Sequence, residues 1–231
     1  NTYQLTKVIM DTLTARFGGK PHVIFCLLKR LKLDVNRDKI EAAEGNIYGE
    51  RAWAEYHHYL DISKELVAVN HGSGIVFDIH GHGENPDGYY DLRTWLGYLI
   101  KGHELDLTDE ELNTLDFKDK SSIKVLADSS SHSFINILRG ETSLGRIMDS
   151  LGYECVPSVN APGPAGSRYF SGGYISVRHG SSKEGSISAI QIELPEPEIR
   201  DTEENWSRYA SAFATSIKRY YEFHLGKNIQ P

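Results

Sequence analysis

The chain has 231 residues, of which 39% are hydrophobic and 25% are charged, and it carries a formal net charge of −7. These proportions are ordinary for a globular protein, and a chain of this length can bury a core without disulfides. The negative charge argues against a nucleic-acid partner, since the one basic cluster is residues 29–32. No apolar run reaches the roughly 20 residues of a membrane span.

The first half of the chain predicts two helices and two strands. Apolar residues at helical spacing predict a helix from Leu5 to Phe17, ended by two glycines, and a second helix from about Glu50 to Val67. The apolar run His22–Leu28 predicts a buried strand between them. The run that begins at Gly74 predicts a central strand, which ends near His80 in glycines and the turn Asn85–Gly88.

The second half predicts short strands, one long loop and a long last helix. A capping box at Thr108 predicts a helix start, and the loop 157–173 is long enough to be functional. The other predicted elements are strands Thr94–Ile100, Tyr153–Val156, Tyr174–Val177 and Ile187–Leu194, with helices Thr142–Leu151 and Thr202–Leu225. Alternating helices and buried strands predict a single three-layer α/β domain over residues 1–231, with a mostly parallel mixed sheet and helices on both faces.

Polar residues recur where predicted strands end, at Asn36-Arg37, at His80 and at Glu193. Strand carboxyl ends meet at one edge of such a sheet, so these three segments are expected to converge. A histidine can bind zinc, a glutamate can accept a proton from water, and an arginine can hold a carboxylate with two hydrogen bonds. Taken singly, each residue also fits a plain structural role, such as an ion pair of Arg37 with Asp34.

Four ordered motifs resemble those of the N-formylglutamate amidohydrolases, a family similar in fold to the zinc carboxypeptidases (phosphorylase/hydrolase-like). The motifs are Arg30 with Asp34-Val35-Asn36-Arg37, then Phe77-Asp78-Ile79-His80, then Gly172-Gly173-Tyr174-Ile175 with His179-Gly180, and last Ala189-Ile190-Gln191-Ile192-Glu193. They span roughly residues 20 to 195 in the family's order. Each is short, and their order carries the resemblance.

The resemblance implies a role for each matched residue. His80 would be a zinc ligand, Asp78 would orient it, and Glu193 would be the general base. Asn36 and Arg37 would bind the free carboxylate of the substrate, and Arg30 would stabilise the oxyanion. The remaining substrate contacts would come from the long loop and the motif after it, through Tyr169, Gly173 and Tyr174. His82 is a further candidate ligand, although a solvated loop histidine is the simpler interpretation.

The sequence departs from the family in two places. A catalytic zinc generally has three protein ligands. In the family, two of them, a histidine and a glutamate, come from a segment before the first helix. Residues 1–16 of this chain contain no histidine. We therefore expect a missing N-terminal segment, a companion N-terminal fragment, or a chain that has lost the site. In addition, Gly81 stands where the family usually has serine.

The predicted function is therefore zinc-dependent hydrolysis of an amide in a carboxylate-bearing N-acyl amino acid or a C-terminal peptide-like substrate. The alternative is a non-catalytic binding or structural protein on the same fold. Cys26 and Cys155 lie in apolar runs typical of free cysteines, and a disulfide stays open. The sequon at Asn205 and a first residue other than Met favour a processed, secreted protein, with a cytoplasmic one as the competing possibility.

Overall fold

The computed structural model describes residues 1–85 and 88–227. Two residues of the turn predicted after the central strand, Pro86 and Asp87, therefore lie outside the described residues. Helices and one four-stranded mixed sheet form an α/β fold, as the alternation of elements predicts. The helices in the described part include none long and apolar enough to cross a membrane.

The sheet has the strand order β1-β4-β2-β3. Its strands are β1 Gly74–Gly81, β2 Thr94–Gly97, β3 Cys155–Val156 and β4 Ile187–Leu194. β1 pairs with β4 and β2 with β3 in parallel, whereas β2 runs antiparallel to β4. Every residue of β4 is buried, which fits its central place between β1 and β2.

Three helices of the described residues are long: α1 Thr2–Phe17, α3 Ile47–His71 and α11 Glu203–Leu225. The other helices are short, namely α2 Lys39–Ala43, α4 Gly102–Leu105, α5 Asp109–Leu112, α6 Leu115–Lys120, α7 Lys124–Ser129, α8 Phe134–Leu138, α9 Leu144–Asp149 and α10 Tyr174–His179, with an irregular turn at Glu196–Arg200. The Thr108 hydroxyl caps α5 and the Thr202 hydroxyl caps α11, at the positions that the sequence predicts.

The two faces of the sheet differ in chemistry because side chains alternate along each strand. Ile75, Phe77 and Ile79 of β1 join the main apolar core, where Phe77 meets Phe213 of α11 edge-on at 5.5 Å. The alternate residues of β1 and β4 face the other way, towards α10 and the segment before α2. That second face carries Asp78, His80 and Glu193, so it holds the candidate site.

Two predicted strands are wrong. Residues 22–28 form no regular element and pair with no strand in the described chain, and most of their side chains are only partly buried. An apolar run indicates burial, but a strand also needs a hydrogen-bonding neighbour. Residues 174–177 belong to α10 instead, where Ile175 and His179 are buried one helical turn apart. A four-residue run is too short for its periodicity to distinguish a helix from a strand.

Candidate active site

The register of β1 against β4 brings the central residues together. His80 pairs with Glu193 and Asp78 with Gln191, and all four side chains lie on the same face of the sheet. On the other side of β4, Trp95 of β2 pairs with Glu193. The convergence of His80 and Glu193 that the sequence predicts therefore follows directly from adjacent parallel strands.

Asp78 and His80 form a tight, largely buried ion pair. His80 Nε2 lies 2.9 Å from Asp78 Oδ2, yet the angles at this contact do not make a hydrogen bond and neither atom has another partner. Burial opposes protonation of His80, but Asp78 and then Glu193 more than offset it and raise the pKa of His80 to about 9. An imidazole nitrogen and a carboxylate oxygen thus stand close together without hydrogen-bond partners.

Glu193 is buried on the same face, with 6% of its surface exposed. Its Oε1 accepts a hydrogen bond of 3.0 Å from Gln191 Nε2. Burial raises the pKa of Glu193; the positive charges of His80 and Arg30 oppose that shift, and Asp78 adds to it. A carboxyl whose pKa is raised in this way suits a general base that must take up and release a proton.

Asn36 is joined to Glu193 through Gln191. Asn36 Nδ2 donates to Gln191 Oε1 at 3.4 Å, and Asn36 Oδ1 accepts from the backbone N–H of Ile175 at 2.9 Å. The side chain of Asn36 therefore links three segments, and one N–H of its amide is still available to a substrate. Gln191 is a site residue that sequence analysis missed, although its position two residues before Glu193 on a strand places both on one face.

Arg30 and Arg37 both contact Asp34. Arg30 Nε lies 2.8 Å from Asp34 Oδ2, Arg37 Nε lies 3.6 Å from the same oxygen, and Arg37 Nη1 also donates to Glu41 at 2.9 Å. Arg37 is thus paired with Asp34, as the plain structural role suggested by the sequence predicts. Both side chains are more than half exposed, at 70% and 51%, so part of each guanidinium remains open to an anionic ligand.

The predicted residues of the long loop have fixed positions. The hydroxyl of Tyr169 donates to the Leu96 carbonyl at 2.5 Å, which anchors the loop to β2. Gly173 precedes α10, and a Cβ there would overlap the side chain of Asn36. Tyr174 packs against both Trp53 and His57 of α3, with ring centroids 5.9 and 5.5 Å away. Tyr169 is therefore an anchor, Gly173 borders Asn36, and Tyr174 packs against α3.

The structure explains why position 81 is a glycine. A Cβ at this position would overlap the guanidinium of Arg200. That buried guanidinium donates to the carbonyls of Leu194, Pro195 and His82 at 2.7 to 3.1 Å. His82 itself stacks on Trp95 with centroids 3.8 Å apart, and its Nε2 lies 3.0 Å from the Arg93 carbonyl. It is therefore packed in the core rather than solvated.

The metal-binding capacity of the site is partial. His80 Nε2 and Asp78 Oδ2 have no hydrogen-bond partner, but they face each other at 2.9 Å, so His80 would have to lose its proton before it could bind a metal. Among residues 1–85 and 88–227, no group of three histidine, cysteine, aspartate or glutamate side chains is placed to hold a metal ion. His80 fits one position of a catalytic zinc site, and the described residues do not supply the set of three that such a site generally has.

Two further predictions concern residues outside the site. Cys26 and Cys155 are both free thiols. Asn205, in the sequon, is buried in the first turn of α11, where its Nδ2 donates to Asp201 at 2.6 Å. The nitrogen that a glycan would need is therefore engaged in the folded chain.

Comparison of the chain with family models, curated proteins and solved structures found no match.

Proposed function

We propose that the chain is a zinc-dependent amidohydrolase acting on a carboxylate-bearing N-acyl amino acid, such as an N-formylglutamate-like compound, or on a C-terminal peptide-like substrate. The observation that carries the proposal is the pairing of His80 with Glu193 across β1 and β4. It brings together a candidate ligand and a candidate base from two of the four motifs that resemble the N-formylglutamate amidohydrolases. Asn36, from the first motif, is hydrogen-bonded to the same cluster through Gln191.

Each side chain of the site has a separate role in the proposed reaction. Glu193 accepts a proton from the attacking water as the new C–O bond forms, and the amide C–N bond then breaks when Glu193 passes this proton to the leaving nitrogen. Arg37 and the free N–H of Asn36 bind the carboxylate of the substrate. Arg30, whose positive charge acts on both His80 and Glu193, stabilises the oxyanion.

Zinc, when bound, would polarise the amide carbonyl and make a water molecule more acidic. The neutral form of His80 would hold it, with Asp78 orienting the ring from beside Nε2. The two further protein ligands of such a site would have to come from outside the described residues or from a companion fragment. Metal content is therefore a test that does not depend on turnover. We expect about one zinc per molecule of the natural protein, and its loss in His80→Ala.

The proposal is tested by Glu193→Gln with N-formylglutamate as substrate and release of the primary amine as the readout. Loss of the general base should lower kcat by roughly 10² to 10⁴. The matched control is Glu196→Gln, an exposed glutamate three residues on, which should keep wild-type activity. Full activity in Glu193→Gln would rule out this mechanism.

A second candidate function is carboxylate binding without catalysis. It is favoured by the incomplete metal site, because the described residues place no group of three potential ligands together. In that case the natural protein would contain no stoichiometric zinc and would bind N-formylglutamate without hydrolysing it. Calorimetry and amine release on the same sample distinguish the two functions.

A further inference from the structure

Two side chains of α3 hold the backbone on either side of Asn36. His57 Nε2 lies 3.1 Å from the Val35 carbonyl oxygen, and Trp53 Nε1 donates to the Arg37 carbonyl at 2.9 Å. Residues 53 and 57 are four apart and so face the same way on a helix. The carbonyls before and after Asn36 are therefore both bound from one face of α3.

The hydrogen-bond partners fix the tautomer of His57. A carbonyl oxygen only accepts, so His57 Nε2 must carry the hydrogen that Val35 receives. The other nitrogen, Nδ1, lies 2.8 Å from His179 Nε2. In the neutral ring this Nδ1 is an acceptor, so His179 Nε2 donates to it. The two imidazoles thus form a series of two hydrogen bonds, in which His179 Nε2 donates to His57 Nδ1 and His57 Nε2 donates to the Val35 carbonyl.

The packing of the two rings supports this order. His57 and His179 are nearly coplanar, at 12°, with centroids 5.1 Å apart, so their edges face each other and the N–H lies in the plane of both rings. Burial is the main cause that lowers the pKa of His57, to about 4, and the pKa of His179, to about 3. Both rings are therefore neutral at neutral pH, as an N–H···N bond between them requires.

The outer end of the series faces charged groups. His179 Nδ1 lies 3.3 Å from Asp61 Oδ1 without a hydrogen bond, and Asp61 is paired with Arg178 at 2.9 Å. The nearby charge of Lys64 also disfavours a positive His179. Since His179 Nε2 donates to His57, the neutral His179 ring has no hydrogen on Nδ1, and the series of hydrogen bonds begins at His179 Nε2.

Helix α10 binds Asn36 at a second point. The backbone N–H of Ile175 donates to Asn36 Oδ1 at 2.9 Å, one helical turn before His179. One short helix thus contacts the Asn36 segment directly at one end and through His57 at the other. The segment is held from α3 and from α10 at once, and its side chain is directed at Gln191.

We propose that His57 is a positioning residue, which works with His179 and Trp53 to hold the Asn36-Arg37 backbone in the orientation that binds the substrate carboxylate. This role rests on the proposed function, because it assigns the carboxylate to Asn36 and Arg37. His57 itself does not touch the substrate. Its loss is expected to weaken substrate binding and to leave the proton-transfer step at Glu193 intact.

The test compares two substitutions that each keep one nitrogen function of the ring. The amide of His57→Gln places an N–H where Nε2 was and so keeps the donor to Val35, whereas the shorter side chain of His57→Asn keeps only a group near Nδ1. With N-formylglutamate, His57→Asn should raise KM by about tenfold, the effect of losing one hydrogen bond, while kcat changes less than twofold. His57→Gln should restore KM to near the wild-type value.

Two readouts check the proposal without turnover. Nitrogen-15 NMR of the wild-type protein should show His57 with its hydrogen on Nε2 at neutral pH. Amide hydrogen exchange over residues 34–37 should accelerate in His57→Asn and not in His57→Gln. A hydrogen on Nδ1 of His57, or unchanged exchange and KM in His57→Asn, would overturn the proposal. Absence of hydrolysis by the wild type would count against the proposed function alone, since neither readout depends on it.

Discussion

His224 gives the clearest test of how burial controls stability in this fold. Its ring is buried at the end of α11, where Nε2 lies 2.8 Å from the Thr142 carbonyl and Nδ1 lies 3.0 Å from the Ser130 hydroxyl. Burial lowers the pKa of His224 from 6.5 to about 4, the Thr142 hydrogen bond opposes this shift, and the nearby His132 adds to it. The unfolded chain therefore binds a proton more readily than the folded one.

The sign and size of the effect follow from linkage. Because the folded pKa lies below the unfolded one, the stability contributed by neutral His224 is fully present above pH 6.5 and is lost as the pH falls towards 4. With these two pKa values the loss between pH 7 and pH 5 is about 2 kcal/mol. For a chain of this length that corresponds to a fall in Tm of roughly 4–8 °C.

The assay is urea unfolding of the wild type and of His224→Gln at pH 7 and pH 5. Glutamine can still donate to the Thr142 carbonyl but does not titrate, so the acid-dependent loss should be about 2 kcal/mol smaller in the variant. Other buried histidines contribute equally to both proteins and cancel in this comparison. His58→Gln, which removes an exposed histidine from α3, should keep the wild-type pH dependence. The same pH dependence in His224→Gln and the wild type would refute the reasoning.

Two further substitutions test the packing of the site. Gln191→Met keeps the volume of a buried side chain but removes its bonds to Asn36 and Glu193, so it should lower the free energy of unfolding by about 1–3 kcal/mol in urea titrations. Gly97→Ala should cost about 1–3 kcal/mol, because its methyl group would lie 2.7 Å from the backbone of the long loop. Gly19→Ala, which meets nothing within 4 Å, is its control; an equal loss in both would show that the close approach at residue 97 is not the cause.

The sequence predicted the long elements because their patterns are long. The helices α1, α3 and α11 and the strands β1 and β4 all lie where periodicity or an apolar run places them. The adjacency of His80 and Glu193 was also predictable, since both residues stand near the carboxyl ends of parallel strands. The predicted strand at residues 22–28 failed because its partner is a property of the whole sheet rather than of the segment.

The supporting residues were not predictable from local patterns. His57 looks like any polar residue on an amphipathic helix, and its role depends on His179, which lies 122 positions away in sequence. Gln191 acts through Asn36, 155 positions away. Such contacts arise from how segments pack. The pattern of polar residues at strand ends singled out the Asn36 segment beforehand, and the motif resemblance alone singled out the His179 segment. The structure adds the bonds that join these segments.

Because Gly81 lies against Arg200, the effect of a substitution at either position depends on the residue at the other. A serine at position 81 is compatible with this backbone only if the side chain at position 200 is first shortened or redirected. Shortening Arg200 alone would strip hydrogen bonds from three buried carbonyls. Each single change is thus harmful in the background of the other native residue, so the two sites are epistatic. Exchange at either position is expected to be rare, and sequence variation at 81 should be correlated with that at 200.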